Sequence, residues 1–218
     1  MRKITAIEPQ KKNPQRVNVY LDGEFAFGLA RITAAWLRTG QELSEEKVAA
    51  LQAEDTKEVT YQKALHFLSF RLRSSREVRQ NLLKRGVDES LVDETVNRLE
   101  RAGLLDDASF ARAWVENRST FHPRSKSALQ VELRQKGVDE VVVRSVLDAG
   151  VDEAALAYEA ARKQARRYAG LEWLGFRQKL GGFLARRGFS YTVLAPVVSK
   201  VWEELQTAGA GSTFENEE

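Results

Sequence analysis

The sequence predicts a mainly α-helical protein of three tandem three-helix, helix-turn-helix-like repeats in an elongated, curved array, preceded by a small N-terminal β-hairpin extension. Gly86, Gly137 and Gly188 are separated by 51 residues each time, and each follows a basic residue. Four apolar columns keep the same interval: Val78, Leu129, Leu180; Leu82, Leu133, Leu184; Leu91, Val142, Val193; and Val96, Leu147, Val198. Such a period indicates an internal triplication whose units stack to share their cores.

The N-terminal segment has the strand-like pattern that predicts the hairpin. Apolar and polar residues alternate over 17–21 and again over 25–29, with Asp22-Gly23 between them. This dipeptide favours a type I′ turn, which needs positive φ at both central positions. Residues 4–7 supply a possible third strand, and so small a sheet must pack on another element.

Each repeat is interpreted as three helices. Before the first repeat, Ser44 is predicted to cap a helix that carries Val48 and Leu51. In the first repeat, helix one is predicted over 60–72, and Ser74 with Glu77 forms a capping box at the start of helix two. Gly86 is the left-handed residue that ends helix two, and Asp88 caps helix three.

The same devices are predicted further along the chain. Asp106 and Asp107 precede the next helix and are assigned a capping role, while Gly137 and Gly188 repeat the role of Gly86. Pro196 falls inside the last predicted helix, which is therefore expected to be kinked or to start late.

These predictions divide the chain into five parts. They are an N-terminal β-hairpin with short helices over 1–59, repeats over 60–107, 108–150 and 151–206, and a disordered acidic tail over 207–218. The overall charge of +3 separates into 0 for 1–59, +1 for 60–107, +2 for 108–150, +5 for 151–200 and −5 for 201–218. One face of the array is expected to be cationic, which suits a phosphate backbone or an acidic protein groove equally well.

No catalytic or metal-binding pattern emerges from the residues. The chain has no Cys and two His, and neither His66 nor His122 has a partner at metal-site spacing. Gly181-Gly182 is not part of a phosphate loop. We therefore expect no enzyme activity, no metal and no cofactor. No signal peptide or membrane span is visible, so a soluble cytoplasmic protein is expected.

Three segments carry a family resemblance. The chain reads R-L-R-S-S-R-E-V at 71–78, L-D-D-A-S-F-A at 105–111 and E-L-R-Q-K-G-V at 132–138. Together they resemble the RecX family of bacterial regulators of the RecA recombinase, over roughly residues 60–205. The hairpin also looks like the β-extension of many members. The third repeat departs from the pattern at Pro196 and at Gly175, which stands where the first repeat has Arg73.

The resemblance implies a negative regulator that binds the RecA–single-stranded-DNA filament along its groove. It implies inhibition of RecA ATPase, strand exchange and SOS co-protease activity, by a monomer that also binds single- and double-stranded DNA weakly. The residues assigned to the partner-binding surface are Arg71, Arg73, Arg76, Lys84, Arg85, Arg118, Arg124, Lys126, Arg134, Lys136, Arg186 and Arg187. The residues assigned to structural capping are Ser74, Glu77, Gly86, Asp106, Asp107, Gly137 and Gly188.

The competing hypothesis is a tandem helix-turn-helix-like protein that binds DNA directly, as an architectural or transcriptional factor. Three-helix units with basic second helices allow it. Against it, no helix shows a recognition pattern of Asn, Gln and Arg, and asymmetric tandem copies do not suggest a palindromic site.

Overall fold

The structure, a computed structural model, describes residues 1–211, with side chains described to residue 207. The strands are β1 (Arg2–Gln10), β2 (Asn13–Leu21), β3 (Glu24–Ala30) and β4 (Glu42–Leu43). The helices are α1 (Glu45–Leu68), α2 (Ser75–Leu83), α3 (Glu89–Arg101), α4 (Asp107–Phe121), α5 (Lys126–Gln135), α6 (Glu140–Gly150), α7 (Glu153–Ala165), α8 (Trp173–Arg186) and α9 (Tyr191–Gly211), with a 3-10 turn at Arg166–Tyr168. Within the described range, no helix combines the length and the apolar character needed to cross a membrane.

The chain forms two compact units. The first contains Met1–Arg73 and Glu77–Leu105, and the second contains Ser74–Arg76 and the chain from Asp106 onward. The start of α2 therefore belongs to the second unit, while the rest of that helix belongs to the first.

The N-terminal residues form an antiparallel sheet with strand order β3-β2-β1-β4. The predicted hairpin is confirmed, because β2 and β3 pair across a turn in which Asp22 has φ 53° and Gly23 has φ 88°. The third strand is also present, and it is longer than predicted. Ile4, Val19 and Leu29 are fully buried on one face, where α1 packs. The short β4 was not anticipated.

The predicted cap at Ser44 is confirmed, but the separate helix predicted over 60–72 has the wrong bounds. Instead of running over 60–72, α1 is one continuous helix of 24 residues that begins after Ser44, whose hydroxyl accepts a hydrogen bond from the backbone N–H of Lys47. The helix contains neither Gly nor Pro, so its polar residues over 45–59 remain helical although few of them are buried. The helix ends at Leu68, and residues 69–74 form a loop rather than its last turn.

The apolar columns of the 51-residue period are confirmed as the cores of the repeats. Val78, Leu129 and Leu180 are fully buried, and so are their counterparts Leu82, Leu133 and Leu184. The column through Val96 is also buried, while the column through Leu91 is only half-buried. Each repeat thus buries the same positions of its second and third helices.

The glycine column ends the second helix of each repeat. Gly86, Gly137 and Gly188 have φ of 75°, 83° and 91°, a left-handed conformation that side chains disfavour. In each turn the N–H of the next residue returns to a carbonyl of the helix, as from Val138 to Leu133 at 3.1 Å. This closed hydrogen bonding stops the helix and turns the chain toward the third helix.

Pro196 was expected either to kink the last helix or to delay its start. A late start is wrong, because α9 begins at Tyr191 and Pro196 lies in its second turn. The first turn is already closed before the proline, where Leu194 donates to the carbonyl of Ser190 at 2.9 Å. α9 continues to Gly211, so the first residues of the tail expected to be disordered are helical, and residues 212–218 lie outside the described residues.

Candidate binding surface

Buried serines hold the loops that carry several of the candidate arginines. Ser125 caps α5 by accepting from the N–H of Ala128 at 3.1 Å, and its own N–H donates to the carbonyl of Arg187 at 3.2 Å. At the equivalent place one repeat earlier, the Ser74 hydroxyl donates to the carbonyl of Lys136 at 2.6 Å. Both serines are fully buried. In both places, a serine that precedes the second helix of one repeat contacts the residue before the turn glycine of the next repeat. We call the contact at Ser125, between the second and third repeats, the serine joint.

Two adjacent carboxylates serve two different helices. Asp106 accepts from the Ser109 hydroxyl at 2.5 Å and from the N–H of Ala108 at 2.9 Å, and these bonds hold the pKa of its carboxyl below the usual value. Asp107, the first residue of α4, instead accepts from the N–H of Ser75 at 2.8 Å, at the start of α2. Sequence reasoning missed this second role because α2 and α4 are distant along the chain.

The two arginines of the α1–α2 loop are already engaged within the first unit. Arg71 makes a forked ion pair with Glu77, with distances of 2.9 and 3.2 Å. Arg73 stacks its guanidinium over the ring of Phe67, 4.1 Å from the centroid. Burial, followed by the charge of Arg71, lowers the pKa of Arg73.

The remaining candidates of α2 lie on exposed positions. Lys84 and Arg85 follow the last turn of the helix, and neither makes a salt bridge with any residue in the described range. In the second unit, Arg76 also lacks a salt bridge to the described residues, and a side chain added at Gly137 would collide with it. These three cations are therefore available to an anionic partner.

Glu132 on α5 gathers three side chains of the second repeat. It accepts from Arg118 at 2.7 Å and from the indole N–H of Trp114 at 2.8 Å, and it lies 2.9 Å from Nε of Arg124. That Nε is buried without an aligned hydrogen bond among the described residues, so the contact is an ion pair only. The guanidinium of Arg118 also lies over the Trp114 ring, 4.6 Å from its centroid.

The other candidates of the second repeat differ in how far their charge is balanced. Arg134 pairs with Glu140 at 2.5 Å, and hydrogen bonds, first of all that from Arg134, lower the pKa of Glu140 to about 2. Lys126 lies 3.9 Å from the exposed carboxylate of Asp148, a distance that gives little attraction in water. The ammonium of Lys136 lies 5.0 Å from the Trp114 ring centroid.

Four of the predicted residues meet at one cavity within the second unit. Arg118 and Arg124, from the second repeat, line it together with Arg186 and Arg187, from the end of α8. His122 and Phe183 complete the lining. Sequence reasoning did not predict that Phe183 lines this cavity. The 51-residue period aligns it with Glu132, and this difference between the two repeats could have drawn attention to it.

The described part of the chain holds no group of three or more His, Asp or Glu side chains arranged to bind a metal ion. The arrangement offers a group of arginines at one cavity of the second unit, two of them held in place, and exposed cations at the end of α2. Guanidinium groups bind carboxylates and phosphates through parallel hydrogen bonds. Each of these two sets of cations is therefore equipped to bind an anionic group.

Comparison with known proteins identifies the family. Models of the RecX N-terminal domain and of the first, second and third RecX three-helix domains match residues 2–44, 61–99, 106–147 and 152–194. A protein of Bacillus licheniformis named regulatory protein RecX is 32% identical over 90% of this chain and 76% of its own length. One of Leuconostoc mesenteroides with the same name is 31% identical over 94% of this chain and 78% of its own length.

A solved structure agrees with these sequence matches. The crystal structure of a regulatory protein RecX superposes with a TM-score of 0.74 at 29% identity, covering 90% of this chain and 98% of the other. Both the repeats and the N-terminal sheet are thus shared with known proteins, and the chain belongs to the RecX family of regulatory proteins.

Proposed function

We propose that this protein is a negative regulator of the RecA recombinase. It binds the RecA–single-stranded-DNA filament along its groove and inhibits ATPase, strand exchange and SOS co-protease activity. It acts as a monomer in the cytoplasm and has no enzymatic activity. The basic residues assigned to the partner-binding surface also bind bare single- and double-stranded DNA weakly. Family membership supports the recombinase as the partner.

The observation that carries the proposal is the set of cations without a balancing carboxylate. Lys84, Arg85 and Arg186 make no salt bridge with the described residues, and they recur on repeats that share one design. A filament presents the same acidic or phosphate group at each subunit, so contacts from successive repeats act together although each one is weak. Attraction of this kind weakens as salt is added.

Titration into a recombinase ATPase assay on single-stranded DNA tests the proposal. The protein is expected to inhibit ATP hydrolysis, and the Lys84→Glu/Arg85→Glu variant to need about tenfold more protein for half inhibition, which corresponds to about 1.4 kcal/mol of binding. The matched control is Lys11→Glu/Lys12→Glu, which makes the same charge change in the exposed β1–β2 turn. No inhibition by the natural protein, or equal inhibition by both variants, would contradict the proposal.

A further inference from the structure

The cavity lined by Arg118, Arg124, Arg186 and Arg187 has a volume of about 470 Å³ and lies at the joint of the second and third repeats. It is built entirely within the second compact unit. The serine joint lies beside it, because the carbonyl of Arg187 is the group that accepts from the N–H of Ser125. We call it the arginine cavity.

Positive charge in the arginine cavity exceeds the negative charge that balances it. The salt bridges of its four arginines within the described range all go to a single carboxylate, Glu132, which is shared by Arg118 and Arg124. Arg186 and Arg187 have no carboxylate partner there. Burial, and then the nearby charge of Arg124, lower the pKa of Arg187. The positive charges of Arg124 and Arg187 thus oppose each other.

Two of the four guanidinium groups, those of Arg187 and Arg118, are held in place by contacts with the second unit. Arg187 lies over the ring of Phe183, 4.5 Å from the centroid, and donates to the carbonyl of Pro123 at 3.0 Å. Arg118 is fixed between the Trp114 ring and Glu132. Groups that are fixed before binding lose less conformational entropy when a ligand arrives.

The aligned position of the preceding repeat shows why the cavity keeps its excess charge. Where the second repeat has Glu132, the third has Phe183. The carboxylate neutralises arginines, whereas the phenyl ring supports Arg187 without neutralising it. The cavity therefore has an aromatic side chain where the preceding repeat has an acid.

We infer that the arginine cavity binds a phosphate group and that the bound group links the second repeat to the third through Arg124 and Arg186. One carboxylate is satisfied by one or two guanidinium groups, whereas a phosphate presents three or more acceptor oxygens and a larger charge. Three or four convergent arginines thus match phosphate better than carboxylate. The inference rests on the proposed function, since these arginines belong to the proposed partner-binding surface, and it names the chemical group they bind.

Thermal unfolding of the full chain without any recombinase tests this inference. The probe is inorganic pyrophosphate, compared with sodium chloride at equal ionic strength. We expect pyrophosphate to raise the unfolding midpoint beyond the effect of chloride, because it binds the folded state. The Arg124→Gln/Arg186→Gln variant is expected to bind pyrophosphate about tenfold or more weakly. The control variant Arg166→Gln/Arg167→Gln loses the same charge from the exposed 3-10 turn and should bind like the natural protein.

The single variant Arg186→Gln shows whether weaker pyrophosphate binding by the double variant could be due to misfolding. The side chain of Arg186 makes no hydrogen bond or salt bridge with the described residues, so Arg186→Gln should leave the fold intact and still weaken pyrophosphate binding severalfold. Equal effects of pyrophosphate and chloride, or equal binding by the cavity and control variants, would overturn the inference. Tighter binding of an oligoglutamate peptide than of pyrophosphate would overturn it in favour of an acidic protein partner.

Competition identifies where the phosphate comes from. If a short oligothymidylate displaces pyrophosphate, the cavity takes the backbone of a nucleic acid. If it does not, the cavity takes a free phosphate compound, and either result supports a phosphate site. Because this assay lacks recombinase, inhibition of the recombinase ATPase without phosphate binding would refute the inference alone, and phosphate binding without inhibition would refute only the proposed function.

Discussion

Substitution of Gly188 by Ala tests how the serine joint is packed. The residue has φ 91°, and an added Cβ would lie 2.5 Å from the Ser125 hydroxyl oxygen and 3.1 Å from the Cβ of Ala128. The left-handed backbone costs about 1–2 kcal/mol for a residue with a side chain, and overpacking adds about 1–3 kcal/mol. Gly188→Ala should therefore lower the free energy of unfolding by about 2–5 kcal/mol.

The control is Gly86→Ala, because Gly86 has φ 75° but open space around its Cβ position. It carries only the backbone cost, about 1–2 kcal/mol. Both free energies are measured by urea denaturation, followed by tryptophan fluorescence and far-UV circular dichroism to detect separate transitions of the two units. Equal costs at Gly86 and Gly188 would refute the argument from packing.

A double-mutant cycle with Ser125→Ala isolates the clash itself. Alone, this substitution removes the cap of α5 and costs about 1 kcal/mol. It also removes the oxygen closest to the added Cβ. The double variant should therefore lose less stability than the sum of the single variants, with a coupling of about 0.5–3 kcal/mol. Strict additivity would show that the two residues do not touch.

Three further substitutions test other contacts. Asp55→Ala should destabilise the first unit by about 3 kcal/mol in urea denaturation, since it leaves Arg16 without the carboxylate that it contacts at 2.8 Å. Asp106→Ala should cost about 1 kcal/mol through loss of the α4 cap, and should leave the sheet hairpin unchanged by hydrogen exchange. Glu140 has a folded-state pKa of about 2, below its unfolded value of about 4.3. Its ion pair with Arg134 therefore stabilises the folded protein at pH values above the unfolded pKa. This stabilisation is lost as the pH falls toward 2. Glu140→Gln should therefore reduce the loss of stability between pH 5 and pH 2 in urea titrations, and an unchanged pH dependence would contradict this.

Periodicity predicted much of the architecture because it depends on local rules. Alternation and Asp22-Gly23 indicated the hairpin, and the glycine column indicated where each second helix ends. The 51-residue columns identified core positions such as Leu133 and Leu184 correctly. The Ser44 cap was predicted correctly, but the helix after it and the helix from residue 60 were predicted as two helices, because the apolar stripe of the repeat begins only at residue 60, whereas α1 is continuous.

The charge balance of the candidate residues could not be predicted from the sequence, because it depends on long-range partners. The sequence treated Arg118, Arg124 and Arg134 alike as available cations. The structure pairs the first two with Glu132 and the third with Glu140. The arginine cavity combines two consecutive repeats, so no single stretch of sequence reveals it. Comparison of Phe183 with its aligned acid is the signal that could have located it.

The serine joint also bears on whether a further copy could be added after the third repeat. Continued by another 51 residues from Ser125, the period arrives at Phe176, which is fully buried in the core of its own repeat and has no hydroxyl to offer. The glycine turn of a fourth copy, produced by duplication after α9, would therefore meet Phe176 instead of a serine and could not form the same contact. Gly86, at the other end of the series, has open space where its successors meet a neighbour. A further copy that made the same joint would therefore require a change at Phe176 as well as a gene duplication.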